Sequence, residues 1–483
     1  MASVVNFPTV FKLISRNLFL ITGALLVSAF VAFIYHESLS PFLIAALVSA
    51  FVGSIFHFSG PGNEVKVTLH RKDAYLTVTL SWLFISMAGS LPYILSGAIP
   101  SYIDALFESI SGFTTTGSSI LTDIEALPKS LLFWRSLTHW IGGIGIIVLV
   151  IIVMPTLHIG GYHLFTLESS LQEKILPKIK SVGFRLLLIY LVLTVVEIVL
   201  LWLGEMNLYD SVCHAFGTVA TGGFSPKNTS IGGYSAYSQY VIMVFMLLAG
   251  TNFVIHYYLV KRNFRKIRAN EEFTFYLGFI LVLGSILMFI LIFRMGKPLE
   301  LAFREAFFQI ISIVTCTGYA TTDYLQWPVY AWMLIFFSMF LGGSTGSTAG
   351  GIKMVRHLVL FKNFSRIFRQ LLSPKAIIRI RLNGRSLKES ANNSIVSFMA
   401  IYFLVFAIGT FLLVFMKIDV KTAASSAATC MAGIGPGIGS VGPASNFAHL
   451  PGLAKIVLSM LMLFGRLEIY TILILFTRNF WRN

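Results

Sequence analysis

The stretch from Ser111 to Ser119 reads Ser-Gly-Phe-Thr-Thr-Thr-Gly-Ser-Ser and lies between two apolar runs. Three further stretches share its character: Val219-Ala220-Thr221-Gly222-Gly223-Phe224, Thr315-Cys316-Thr317-Gly318-Tyr319 and Ala432-Gly433-Ile434-Gly435-Pro436-Gly437. Turns rich in Thr and Gly leave main-chain carbonyls without helical partners. Hydrocarbon forbids this, so such turns belong where they line a water-filled path. Four of them meeting on one axis would make a cation filter, with carbonyl oxygens replacing an ion's water. The predicted ion-facing residues are Thr115, Thr116 and Gly117, then Ala220, Thr221 and Gly222, then Cys316, Thr317 and Gly318, then Gly433, Ile434 and Gly435. Aligned on the central glycines, the preceding residues are Thr116, Thr221, Thr317 and Ile434.

Each turn must be presented by a short apolar segment of ~9–12 residues, too few to cross a bilayer. Such a segment enters and returns on one face. Its carboxyl end points partial negative charge at the pore centre, which favours a cation. Asp104, Asp210 and Glu305 are predicted to open these short helices, where an acid suits the positive helix start; the fourth has Asp419 further back. Long apolar helices flank each one, predicted at 75–99 and 131–154, 183–203 and 240–260, 273–293 and 329–361, and 392–415 and 453–476. An amino-terminal pair, 13–35 and 41–58, stands outside the repeat. The expected fold is therefore an all-α polytopic membrane protein. It has four pseudo-symmetric helix–pore loop–helix repeats around one pore, plus two extra N-terminal transmembrane helices. The predicted units are 1–70 for that pair, then 71–160, 161–268, 269–370 and 371–483.

Composition agrees. Of 483 residues 56% are hydrophobic and only 12% charged, against ~25% charged in ordinary globular domains. A net charge of +16 alone fits nucleic acid or a membrane surface, and its distribution decides. Basic residues gather on segments that an inside amino terminus puts in the cytoplasm: Lys12 and Arg16, Lys66, Arg71 and Lys72, Lys174 to Arg185, Lys261 to Arg268, Lys353 to Lys388, Arg478 and Arg482. That is the positive-inside pattern. The filter turns then face outward, and no nucleic-acid role is expected. Outer acids such as Asp104, Asp123, Glu125, Asp210, Asp323 and Asp419 would draw cations to the mouth. The first apolar run lacks a small-residue cleavage site, so no cleaved signal peptide is expected. Cys213, Cys316 and Cys430 follow no metal-ligand spacing and read as packing residues. No HExxH, GxSxG, Gly-Lys-Ser/Thr or paired-acid motif is present, so no enzymatic chemistry is expected.

Two features point to a gate. The run Gly342-Gly343-Ser344-Thr345-Gly346-Ser347-Thr348-Ala349-Gly350-Gly351 interrupts a long apolar segment. Each Gly costs a helix ~1 kcal/mol, and Ser and Thr compete for its backbone bonds. The helix should break there into a flexible intramembrane loop beneath the filter, in preference to a packing seam. Arg466 is predicted within the last helix, where a charge costs ~2.5–3.5 kcal/mol and needs a partner or water. It either pairs with Glu468 or a carbonyl, or forms one constriction with the glycine loop. His139, His214, His256, Asn252, Glu108 and Glu197 are expected to make structural hydrogen bonds.

The motifs Gly112 to Gly117, Ala220 to Ser225, Thr317 to Asp323 and Gly435 to Gly437 together resemble the Trk/Ktr/HKT family of potassium transporters, in its TrkH-type branch. The likeness covers nearly the whole chain, including the extra amino-terminal helix pair. It implies a fourfold pore in one chain and a homodimer with one pore per protomer. It also implies a bacterial cytoplasmic (inner) membrane, with K+ as the transported ion and no organic cofactor. Members with Ser at the first filter glycine tend towards sodium, whereas this chain has Gly117. Ile434 departs from the pattern by replacing a Thr. The family also has a loop like 342–351 and an arginine below the filter. The basic segment Lys353 to Lys388 suits lipid headgroups. The resemblance implies instead that it docks a cytosolic nucleotide-binding ring of the TrkA type, so ATP, ADP or NAD would act on that partner. A symporter coupled to protons or sodium through the same filter is the alternative mechanism.

Overall fold

The computed structural model describes residues 5–60, 70–148, 179–376 and 378–482. The end of the helix predicted at 131–154, the boundary between the first two units at 160 and 161, Lys66 and Lys174 lie outside the described residues.

Helix α1 (Phe7–Ile34) starts earlier than the apolar run suggests. Asn6 caps it by accepting from the Thr9 amide at 3.2 Å, and Pro8 occupies the first turn, where its missing N–H has no partner to lose. Lys12 and Arg16 hid that start from a hydropathy reading. Helix α2 (Ser40–Phe58) folds back along α1. Buried Asp73 ties α1 to α3 (Arg71–Leu95), accepting from the Asn6 amide at 2.8 Å and the His70 amide at 3.1 Å.

Four units then follow. Helix α3 leads to α4 (Tyr102–Phe113) and α5 (Lys129–Val148). Helix α6 (Ile179–Leu203) leads to α7 (Leu208–Val219), α8 (Ala236–Ala249) and α9 (Phe253–Val260). Helix α10 (Glu271–Met295) leads to α11 (Leu299–Val314), α12 (Val329–Ser338) and α13 (Met354–Leu372). A hairpin of β1 (Arg381–Leu382) and β2 (Arg385–Ser386) precedes the fourth unit. That unit comprises α14 (Glu389–Phe415), α15 (Val420–Ala432), α16 (Gly452–Arg466) and α17 (Ile469–Leu473).

The short helices α4, α7, α11 and α15 are the pore helices. Helix α4 packs against α3 and α5 of its own unit and against α16, the last long helix of the fourth. Helix α7 packs likewise against α6, α8 and α5, and α11 against α10, α12 and α8. Each of these three thus also leans on the last long helix of the preceding unit, which carries the packing around an axis. Large apolar side chains such as Phe30, Leu47, Phe51, Trp202, Phe293 and Phe411 stay exposed on the outside. Among the described residues six helices are long and apolar enough to cross a membrane, or up to eight if each of two bent pairs is one span. The chain is a polytopic helical membrane protein, and this exposed apolar belt is its lipid face.

Three expectations change. The helix predicted at 240–260 is broken, α8 and α9 meeting at 104° across Gly250, Thr251 and Asn252. The helix predicted at 453–476 bends by 113° after Arg466, so Arg466 ends a helix and does not lie inside one. The third pore helix has 16 residues and starts directly after Pro298. Glu300 therefore occupies its first turn and Glu305 the second, where Glu305 pairs with Lys297.

Candidate functional site

All four pore helices end in one way. The residue after the helix cap, or in the fourth the cap itself, enters the left-handed region: Thr115 (φ 51°), Thr221 (φ 54°), Cys316 (φ 59°) and Gly433 (φ 71°). Two residues on, a glycine repeats the excursion: Gly117 (φ 81°), Gly223 (φ 82°), Gly318 (φ 79°) and Gly435 (φ 102°). The residue between them returns its N–H to the helix. Thr116 donates to Ser111 O (2.9 Å), Gly222 to Gly217 O (2.8 Å), Thr317 to Ser312 O (2.8 Å) and Ile434 to Thr429 O (3.1 Å). A β-branched Thr at positive φ is strained by ~1–3 kcal/mol, and surroundings must hold it there.

This geometry corrects the register of the second turn. Its three residues are Thr221, Gly222 and Gly223, while Ala220 is the helix cap. An alignment on Gly222 had no means of telling which of two adjacent glycines carries the positive φ. The middle position therefore holds Thr116, Gly222, Thr317 and Ile434, so two turns lack a hydroxyl there, not one. The Thr116 and Thr317 hydroxyls each meet the hydroxyl of the residue two before, Thr114 and Thr315, at 2.8 Å. Alternate units thus share this polar detail.

The turns close a ring. A Cβ at Gly117 would overlap Gly222 O, one at Gly223 would overlap Thr317 O, and one at Gly318 would overlap Ile434 O. A Cβ at Gly435 would stand 3.0 Å from Thr116 O, which returns the circuit to the first turn. Main chain meets main chain at every step. Thr115, Thr116, Gly117, Thr221, Gly222, Cys316, Thr317, Gly318, Gly433, Ile434 and Gly435 are all brought together in this ring.

Buried polar groups brace it. Glu108 on α4 pairs with Arg135 on α5 at 2.9 Å and accepts from Ser119 Oγ and the Ile120 amide, each at 3.0 Å. Arg135 also donates to Ser225 O at 3.3 Å and lies over the Phe224 ring at 4.0 Å, so one pair anchors two turns. Tyr319 donates to Phe224 O (3.1 Å) and Tyr324 to Gly437 O (2.6 Å). His139 Nδ1 bonds Gly112 O (2.8 Å), His214 Nε2 meets Ser225 Oγ (3.0 Å), and His256 Nε2 bonds Leu248 O (2.9 Å). These histidines and Glu108 make the hydrogen bonds expected of them. Arg135 was missed, although a charge inside an apolar helix carries the same signal that picked out Arg466. Arg135→Ala should cost ~3–5 kcal/mol by stranding a buried carboxylate. Thermal unfolding in detergent should show a large drop in midpoint, and Arg135→Ala with Glu108→Gln should recover part of it.

Outside the ring, the acids are less free than their number suggests. Lys455 neutralises Asp104 at 2.6 Å, and Lys227 reaches Glu125 at 3.2 Å. Asp123 accepts from Asn228 Nδ2 at 2.8 Å, and that bond holds its carboxyl below the usual carboxylate range.

On the other side of the ring lies the glycine-rich loop between α12 and α13. A Cβ at Gly350 would overlap Ala432 O at the end of α15, and one at Gly351 would stand 3.2 Å from Cys316 Sγ. Thr348 Oγ1 donates to Val219 O, the end of α7, at 3.0 Å. The first pore helix, α4, is reached through Arg466. Its Nη1 donates to Thr348 O at 3.0 Å and its Nη2 to Gly142 O at 2.9 Å, and Gly142 packs on Phe113 O at the end of α4. The loop meets the ends of α7, α11 and α15, and Arg466 links it to that of α4 through Gly142. Gly342 and Gly343 sit at the loop's start, where a Cβ at Gly342 would stand 2.6 Å from Gly350 O and one at Gly343 would stand 2.9 Å from Gly250 O. Gly346 has φ 76° and accepts from the Phe253 amide at 3.2 Å.

The bends now have causes. Breaking α8 from α9 frees Gly250 O for Ser344 N (2.9 Å) and Ala249 O for Thr348 Oγ1 (3.2 Å), and Asn252 caps α9. Glu468, at φ 61°, pairs with Arg356 at 2.5 Å. Of the two kinds of partner open to Arg466, Glu468 is taken by Arg356 and carbonyls hold the arginine.

Known proteins share this architecture. The TrkH family of cation transport proteins matches residues 42–482. The chain is 34% identical over 490 residues to the Trk system potassium uptake protein TrkH of Escherichia coli K12, covering 99% of this chain and 100% of that protein. It is 37% identical over 425 residues to TrkI, a Trk system potassium uptake protein of Halomonas elongata, covering 87% and 86%. The crystal structure of the potassium transporter TrkH from Vibrio parahaemolyticus matches with a TM-score of 0.90 at 33% identity, over 99% of this chain and 100% of that one.

Proposed function

The chain belongs to the TrkH family of cation transport proteins, and from that premise we propose that it takes up potassium across the bacterial cytoplasmic membrane through a gated, channel-like pore. The observation that carries this reading is the ring in which each filter glycine meets a main-chain carbonyl of the next turn. Carbonyl oxygens of such turns replace an ion's hydration shell. Four helix carboxyl ends aimed at one centre add partial negative charge. The membrane potential drives entry with ~2.3 kcal/mol per charge per 100 mV. Two relatives that bear the name potassium uptake protein support potassium as the ion.

The glycine loop and Arg466 act as the gate. The loop lies across the inner ends of the pore helices, and the arginine sets a positive charge beside the path. The protein works as a homodimer with one pore per protomer. A cytosolic nucleotide-binding ring of the TrkA type docks on the basic inner face, which includes Arg379, Arg381 and Arg385, and anionic headgroups occupy the rest of that face. Nucleotide acts on the ring.

Reconstituted protein should pass potassium, with a reversal potential that follows the potassium gradient alone. A reversal potential that moves with an imposed proton or sodium gradient would make it a symporter and overturn the channel reading. Neutralising Arg379, Arg381 and Arg385 to Gln should abolish co-purification of the ring and leave ring-free flux intact. Retained co-purification would assign that face to lipid alone.

A further inference from the structure

We infer that Glu272 is the clamp that holds the glycine loop in its covering shape, and that the cytosolic hairpin sets this clamp. The inference rests on the reading of that loop as the gate. Glu272 is the second residue of α10 and is buried. Its Oε1 accepts from the Thr345 amide at 2.7 Å and from the Val355 amide at 3.0 Å. Thr345 lies in the first half of the glycine-rich segment and Val355 just beyond its end, so one oxygen holds the loop to the helix that follows it. Bonds from backbone N–H to a carboxylate are among the strong ones. Val355 lies in the first turn of α13, whose amides have no helical acceptor and favour a negative charge. Glu272 Oε2 has no partner among the described residues, so the loop amides are the groups that fix this carboxylate.

The adjacent residue connects to the cytosolic surface. The Glu271 amide donates to Asn383 Oδ1 at 2.8 Å, in the turn between β1 and β2. The Glu271 carboxylate pairs with Lys362 on α13, and Lys362 Nζ donates to Arg381 O at 2.7 Å. The hairpin therefore holds the first turn of α10 through Asn383 and holds α13 through Lys362. A partner with an acidic face that engages Arg379, Arg381 and Arg385 pulls on both attachments. Moving the α10 turn withdraws Oε1 from Thr345 and Val355 and releases the loop.

Cys316 supplies a readout that does not depend on ion flow. It is fully buried, and a Cβ at Gly351 of the loop would stand 3.2 Å from its Sγ. Replacing Cys213 and Cys430 with Ser leaves Cys316 as the only thiol. The full chain in proteoliposomes is then treated from the cytoplasmic side with a methanethiosulfonate reagent. Glu272→Ala should speed modification about tenfold, which is ~1.4 kcal/mol in the loop's equilibrium. Glu272→Gln keeps an acceptor oxygen in place and should react at close to the parent rate. Asn383→Ala should speed modification less than Glu272→Ala. A folded Glu272→Ala protein that reacts at the parent rate overturns the clamp. So does a Gln variant as fast as Ala, because then no acceptor geometry is involved. If Glu272→Ala does not fold, Val355→Pro deletes one donor from the other side, in a helical turn that tolerates Pro, and is held to the same standard. Absence of potassium flux from every form would sink the pore reading without touching the thiol result. Normal flux with unchanged thiol rates would sink the clamp alone.

Discussion

Gly223→Ala is expected to abolish potassium-selective flux in a protein that still folds. Gly223 has φ 82°, and its added Cβ would overlap Thr317 O. The backbone strain alone is worth ~1–3 kcal/mol in a non-glycine residue. The overlap cannot relax locally, because Thr317 belongs to the next turn and that turn is pressed against the fourth. The ring must open or shift, and ions lose ligands together. A loss of at least about tenfold in flux, the equivalent of ~1.4 kcal/mol, should accompany collapse of the potassium-over-sodium ratio. Gly222→Ala is the comparison. Its Cβ would stand 2.5 Å from His139 Cγ, a side chain and not a carbonyl of the next turn, so the defect should be milder. Parallel flux and selectivity measurements decide the order. If Gly222→Ala proved the more damaging, the register read from the left-handed residues would be wrong.

Arg466→Ala should raise flux in the absence of any partner. The change removes a buried positive charge and two hydrogen bonds, one to Thr348 O in the loop and one to Gly142 O on α5. A unit charge ~4 Å from a passing cation opposes it by ~4 kcal/mol at an effective dielectric constant of 20. Even partial exposure of Arg466 to the path makes it a major barrier. Arg466→Lys retains the charge but has no planar fork to span two carbonyls, so its flux should fall between Ala and the parent. Liposome flux assays with a thermal-stability control test this. Unchanged flux in both variants, with a lowered unfolding midpoint, would reduce Arg466 to a structural brace.

Much of the site was legible in one dimension. Ser111 to Ser119 and its three counterparts stood out because Thr and Gly clusters are anomalous in an apolar chain. The glycine run 342–351 marked its own break because Gly and Ser weaken any helix they occupy. The short helices announced themselves by length and by acids such as Asp104 and Asp210. Other parts left no such trace. Glu272 is an ordinary acid at a helix start in the sequence, and only its two amide partners distinguish it. Gly250, Thr251 and Asn252 sit in an otherwise continuous apolar run, and nothing local demands the 104° turn there.

The sequence by itself determined the membrane class, the fourfold recurrence of the turn motif and the side on which positive charge accumulates. Hydropathy, propensity and charge are properties of neighbouring residues, so a linear reading captures them. The tertiary structure alone decided that Gly223 is the equivalent of Gly117, that Glu468 pairs with Arg356, and that Arg466 turns to Thr348 and Gly142. Each of these depends on which freed carbonyl or amide finds which donor or acceptor across long stretches of chain. Burial favours a partner for each such group, but the identity of that partner exists only once the four units have closed around the axis.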